Sequence, residues 1–114
     1  MVRLEEFVPT YDLLQNLAGA VEIPKDGILS RTIHRDDQVK VVLFGFAGGQ
    51  ELSHHTAAVP AMINIVQGEV RLTLDGEEKE LSSGAWVFMQ ANLTHAVYAK
   101  SDAVMLLTMF GAAK

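Results

Sequence analysis

Residues 69–81 read EVRLTLDGEEKEL, and this stretch settles the class of fold. Val70, Leu72 and Leu74 alternate with Glu69, Arg71 and Thr73, so a strand here turns one side to a core and the other to water or a neighbouring subunit. Asp75-Gly76 is a pair that accepts positive φ at both positions, as a two-residue hairpin loop requires, and the run Glu77–Leu81 returns antiparallel to the first. The acidic Glu77-Glu78-Lys79-Glu80 reads as a solvated strand edge, where charge discourages pairing between sheets.

Similar runs lie on both sides of this hairpin. Ile28–His34, Val39–Phe46, Ala61–Val66, Ala85–Met89, His95–Ala99 and Val104–Phe110 are short, rich in β-branched and aromatic residues, and punctuated by Gly, Asp and Asn. Gln67-Gly68 is expected to act as a second hairpin turn. Short strands at this spacing make an all-β sandwich or barrel. Upstream, Thr10 is placed to cap a short helix with Leu13, Leu14 and Leu17 on one face and Gly19 at its end. The expected division is therefore an arm with a short helix over residues 1–24 and a barrel over 25–114. Val41-Val42-Leu43-Phe44 and Met105-Leu106-Leu107 are apolar on both faces, which predicts that an outer face is covered, most simply in a two-fold homodimer.

The chain has 114 residues, enough for one domain, and no cysteine, which removes disulfides, thiolate metal sites and thiol catalysis. Its net charge is −5 and its basic residues are scattered singly, so nucleic acid is not an expected partner. No apolar run approaches the roughly 20 residues that cross a bilayer, and no membrane partner is expected. With acids where a secretory leader carries its apolar core, a cytoplasmic location is the expectation.

The candidate chemistry rests on four histidines, His34, His54, His55 and His95. His34, flanked by Arg35, Asp36 and Asp37, reads as an exposed turn residue. Gly49, five residues, His55 and a strand ending at Gly68-Glu69 resemble the first motif of the cupins. Gly84, a strand, the turn Gln90-Ala91-Asn92 and His95 resemble the second. The resemblance spans residues 41–110 and implies a small RmlC-like double-stranded β-helix (jelly-roll) barrel, usually dimeric, with a pocket in its mouth.

Metal-holding cupins generally use His-x-His, a nearby Glu and the histidine of the second motif. With His55 as the first ligand, the second histidine's place is Ala57 and the glutamate's place is Ala61, leaving His55 and His95. A second register, counted from Gly48, makes His54 the first ligand and restores no further one. Neighbours in an extended strand face opposite ways, so His54 and His55 both point inward only if a bulge intervenes. The candidate metal ligands are thus His55 and His95, with His54 a lesser third, for Fe, Mn, Ni or Zn; a site without metal is the other reading. A two-histidine site calls for water or a polar neighbour such as Gln50 or Asn64 to complete it.

Alternation from these histidines assigns Ala57, Ala61, Ile63, Ile65, Val70, Leu72 and Val97 to the lining of an apolar pocket. The expected function is binding of a small, largely apolar molecule in the barrel mouth, beside a weak histidine-based metal site. The alternative is a metal-dependent enzyme of dioxygenase or isomerase type acting on a small acid, dicarbonyl or sugar derivative. A metal-free epimerase of this fold needs a histidine base oriented by a carboxylate, and no Asp or Glu falls at an evidently inward position near His55 or His95.

Overall fold

The computed structural model describes residues 10–111. Nine strands follow a short 3-10 turn at Leu17–Gly19: β1 (Ile28–Arg35), β2 (Val39–Phe46), β3 (Glu51–His55), β4 (Ala61–Gln67), β5 (Glu69–Leu74), β6 (Glu77–Ser82), β7 (Trp86–Met89), β8 (His95–Ala99) and β9 (Ala103–Phe110). They form two antiparallel sheets, one five-stranded in the order β1-β2-β9-β4-β7 and one four-stranded in the order β3-β8-β5-β6. This is the expected jelly roll. The alternating side chains of both sheets meet between them, where Phe46, Ile63, Ile65, Val70, Leu72, Met89, Val97 and Met105 pack as one buried cluster.

The β5–β6 hairpin has the expected turn, with Asp75 at φ 49° and Gly76 at φ 86°. Gln67-Gly68 is not a hairpin loop. β4 pairs with β7 and β9, whereas β5 pairs with β6 and β8, so Gly68 carries the chain from one sheet to the other. At φ 87° it lies against the backbone of Asp102 and Ala103, where the chain crosses back between β8 and β9. Gly48 N–H donates to Asp102 Oδ1 at 2.9 Å and Glu69 N–H to Ser101 Oγ at 3.0 Å, so three crossing segments are tied together at this end of the barrel. The opposite end holds the close of β3 and the start of β8.

The expected N-terminal helix is absent. Residues 10–16 are irregular, and only Leu17–Gly19 forms a 3-10 turn, with the Asn16 side chain accepting from Gly19 N–H. A helix this short is marginal on local propensity alone, and tertiary packing asks for something else here. The segment around Val21 and Ile23 lies across the outer face of the five-stranded sheet, packing with Leu43, Val104, Leu106, Val66 and Ile33. Gly45 permits the approach, because a Cβ there would collide with the Glu22 carbonyl. Part of the doubly apolar character of β2 and β9 is therefore covered by the chain's own arm.

Charge fastens the arm as well. His34 Nδ1 meets Asp12 Oδ2 at 2.6 Å and His34 Nε2 meets Asp36 Oδ2 at 2.7 Å. Carboxylates only accept, so both ring nitrogens donate and the imidazole is a cation. The hydrogen bonds that His34 donates to Asp12 and then Asp36 hold its pKa above the ordinary value, while accepting from His34, and from the Gln38 and Val39 N–H groups, lowers Asp36 to about 2. The imidazolium contribution is complete below His34's ordinary 6.5 and is lost as pH rises through the raised value. The Asp36 contribution is complete above its ordinary 3.8 and is lost as pH falls through about 2. Protection of the arm amides, their exchange rates divided into the intrinsic rate at each pH, is expected to be greatest between those limits, to fall in alkali, and to respond to salt because all three groups are solvent-exposed. Protection that stays flat from pH 5 to 9 would contradict the fastening.

Candidate functional site

His95 is the one buried polar side chain among the described residues, at 6% exposure. It opens β8 on the inward parity shared with Val97 and Ala99, which face Leu72 and Val70 of β5. Its partner across β3 is set by an irregularity. Leu52 pairs with Val97, so a regular ladder would place residue 54 opposite residue 95; instead His55 pairs with His95. One extra residue is thus accommodated between Leu52 and His55, a β-bulge that turns His55 rather than His54 toward the barrel mouth. Their ring centroids lie 4.2 Å apart, with the ring planes at 60°.

Backbone carbonyls fix both tautomers. His55 Nδ1 donates to the Ser53 carbonyl at 2.7 Å, and His95 Nδ1 to the Leu93 carbonyl at 2.9 Å. A carbonyl cannot donate, so each Nδ1 carries a proton, and in the neutral form of either ring it is Nε2 that keeps the lone pair. A Nδ1–H bond to a carbonyl is the usual way a protein orients an imidazole that ligates through Nε2. No fully buried side-chain nitrogen or oxygen lacks a partner among the described residues, so the free Nε2 of His95 is reachable from the mouth. Burial lowers the His95 pKa, outweighing the Leu93 hydrogen bond, and the nearby His55 pushes the same way. The ring is neutral at pH 7.

The other sequence candidates fall in different places. His54 and His55 are both exposed, but only His55 pairs with His95, and no group of three His, Cys, Asp or Glu suited to a metal occurs among the described residues. Asn64 shares the outward parity of Met62 and pairs with Trp86 and Leu106, so it faces away from the histidines. Gln50 accepts from Ala99 N–H, four residues along β8 from His95 and about 13 Å distant at strand rise, so it does not complete the site either. The carboxylate in the same cross-strand row is Glu77, opposite Leu74, which is opposite His95; two strand spacings put it about 10 Å away.

Ala61, Ile63, Ile65, Val70, Leu72 and Val97 are each 3% exposed or less. They pack in one buried cluster with Phe46, Met89 and Met105. Ala57 is half-buried, and its carbonyl accepts from Asn92 N–H at 2.8 Å, which ties the loop after His55 to the turn before His95. The apolar surface still reachable beside the histidines belongs to the partly buried Leu52, Leu74 and Leu93. Leu74 was detectable from sequence, since it continues the Val70–Leu72 alternation to the end of β5; its pairing with His95 was not.

A two-sheet jelly roll with paired, pre-oriented imidazoles at one end defines a small barrel built to present nitrogen lone pairs in an apolar setting. The family model for the cupin domain matches residues 42–111, and the chain belongs to the cupin family. Similar solved structures include a conserved protein of unknown function from Streptococcus pyogenes, 29% identical over 90% of each chain with a TM-score of 0.80. A cupin superfamily protein from Desulfitobacterium hafniense is 25% identical over 90% of this chain and 94% of its own, with a TM-score of 0.79. An RmlC-like cupin from Desulfovibrio desulfuricans is 25% identical over 92% and 98%, with a TM-score of 0.75. No protein of curated function matches the sequence.

Proposed function

We propose that this cupin binds a small molecule by docking its polar group on the His55–His95 pair and its apolar part on Leu52, Leu74 and Leu93. The observation that carries this reading is the shared orientation of the pair, each Nδ1 held by a backbone carbonyl and each Nε2 left free. Such nitrogens accept hydrogen bonds from a hydroxyl, acid or amide, and they ligate a divalent transition ion. The donor set is short for a resident catalytic ion, which ordinarily takes about three protein ligands. Two imidazoles hold Fe, Mn, Ni or Zn loosely, with water or a chelating ligand supplying the rest. Binding therefore takes precedence here over dioxygenase or isomerase chemistry.

Titration of tag-free protein with Ni²⁺ or Zn²⁺, followed by calorimetry, tests the pair. His55→Ala and His95→Ala are each expected to weaken binding by at least about tenfold, since losing even an outer-shell partner costs that much. His54→Ala should leave it within about twofold. Equal losses in His54→Ala and His55→Ala would sink the two-histidine site, and near-stoichiometric metal retained through purification would favour the enzyme reading.

The homodimer belongs to this proposal too, on different grounds from the two-faced strands. Beyond the arm, the outer face of the five-stranded sheet exposes Trp86 at 58% and Phe88 at 51% on the edge strand β7, beside half-buried Met62. Paired apolar residues on a strand edge are what a two-fold neighbour would cover. Each chain is 12.4 kDa, so sedimentation is expected to give about 25 kDa, falling toward one chain mass in Trp86→Lys. A native monomer would contradict it.

A further inference from the structure

A cavity of about 320 Å³ lies between the N-terminal arm and the outer face of β1 and β2, lined by Asp12, Leu14, Leu17, Ile33, His34 and Val41. It is separate from the histidine pair, which belongs to the four-stranded sheet, and β1 and β7 are opposite edges of the five-stranded one. Its volume is in the range of small-ligand sites. Four aliphatic side chains make the walls, and its polar groups are the Asp12–His34 part of the arm fastening.

The hydrogen-bonding capacity left in that fastening is of one kind. Both His34 nitrogens are committed, Nδ1 to Asp12 and Nε2 to Asp36. Asp36 already accepts three hydrogen bonds, with Oδ2 on His34 and Oδ1 accepting from Gln38 and Val39 N–H at 2.8 and 2.9 Å, and it does not line the cavity. Asp12 uses Oδ2 on His34, and its Oδ1 has no hydrogen-bond partner among the described residues. Two carboxylates and one imidazolium sum to one negative charge, in a chain whose net charge is −5. The nearby Arg31 is turned away to the Ala20 carbonyl at 2.6 Å and does not line the cavity.

We propose that this cavity is a second ligand site, selective for a small aliphatic ammonium compound whose N–H groups donate to Asp12 Oδ1 and whose chain packs on Leu14, Leu17, Ile33 and Val41. An aliphatic carboxylate fits the walls equally well but finds only acceptors and a net negative charge. A neutral alcohol donates one hydrogen bond without the charge. The selectivity order is therefore ammonium, alcohol, carboxylate.

Methyl-resolved NMR of the full chain, titrated with n-hexylammonium, hexan-1-ol and hexanoate, tests this order. Hexylammonium is expected to shift the Leu14, Leu17, Ile33 and Val41 methyls and to bind about threefold to fivefold tighter than hexan-1-ol, the range for an exposed charge pair. Hexanoate should be weaker than the alcohol. Asp12→Asn should remove the preference for ammonium while the alcohol still shifts the same methyls; an arm that unseats in this variant leaves the three-ligand comparison in the native chain as the test. Hexanoate binding as well as hexylammonium, or no response to any of the three at about 10 mM, a concentration that detects even millimolar affinity, would overturn the proposal. So would shifts that follow protein concentration without ligand, which would mark a second copy in the cavity.

Discussion

Replacing Ala57 by His and Ala61 by Glu together is expected to raise divalent-metal affinity by at least about 100-fold over the native chain, since about three ligands convert a loose site into a retained one. The two alanines stand where the resemblance to metal-holding cupins places a histidine and a glutamate, and the structure puts His55 and His95 in direct register with each other. Ala57 is half-buried in the loop joined to Asn92, so an imidazole there has space to turn toward the pair. Ala61 is only 3% exposed, in register with Met89 and Met109. A carboxylate at that position loses its hydration and is costly until an ion compensates it. The apo double variant should accordingly melt below the native protein, and saturating metal should restore it, with about 2.7 kcal/mol gained at 100 times the dissociation constant. Melting curves with chelator and with Zn²⁺ read both effects. Unchanged affinity would mean that the mouth does not bring these four positions to one point.

Gly68→Ala is expected to cost about 2–6 kcal/mol. Two penalties add. At φ 87°, a side chain is strained by about 1–3 kcal/mol. The new methyl would also meet the Asp102 carbonyl and lie 2.8 Å from Ala103 Cα, backbone that cannot step aside without shifting the crossing into β9, for another 1–3 kcal/mol or so. For a domain near this size each kcal/mol lowers Tm by roughly 4–8 °C, so a fall of at least about 8 °C is expected. Gly76→Ala is the control: its φ is 86°, but nothing lies within 4 Å of the added Cβ, so it should show the conformational penalty alone. Equal losses in the two variants would mean that the packing of the corner contributes nothing.

The strands that could be read from the sequence were those with strict alternation or continuous β-branched residues, and their limits needed little change. β3 was not readable. In Glu51-Leu52-Ser53-His54-His55 a single aliphatic residue carries the inward face, so no period appears. Its strand character comes from pairing with β8, a partner more than 40 residues away in the sequence. The arm misled in the opposite way: Leu13, Leu14 and Leu17 have helical spacing, yet Leu13 is 67% exposed and the arm's buried contact comes later, at Val21. Gly68 looked like a hairpin glycine because positive φ serves a hairpin and a crossing between sheets equally well.

For the site, the histidine of each motif and the vacancy at Ala57 and Ala61 were visible in the residues, but the choice between His54 and His55 was not. Spacing counted from Gly48 selects His54 and spacing counted from Gly49 selects His55; in the structure the bulge pairs His55 with His95. The pocket lining was legible only as a set of inward faces. Alternation correctly turned Ile63, Ile65, Val70, Leu72 and Val97 inward, but whether inward residues enclose space or fill it depends on how closely the two sheets pack.

By itself, then, the sequence determined an all-β barrel, its hairpin turn, its inward faces and the two histidines available for chemistry, because side-chain period and turn conformation are local properties of the chain. The tertiary structure alone decided which neighbouring histidine pairs with His95, and that the arm closes over β2 and leaves a cavity beside Asp12. Each of those depends on register and packing between segments far apart in sequence, where one extra residue in an edge strand is enough to exchange an outward imidazole for an inward one.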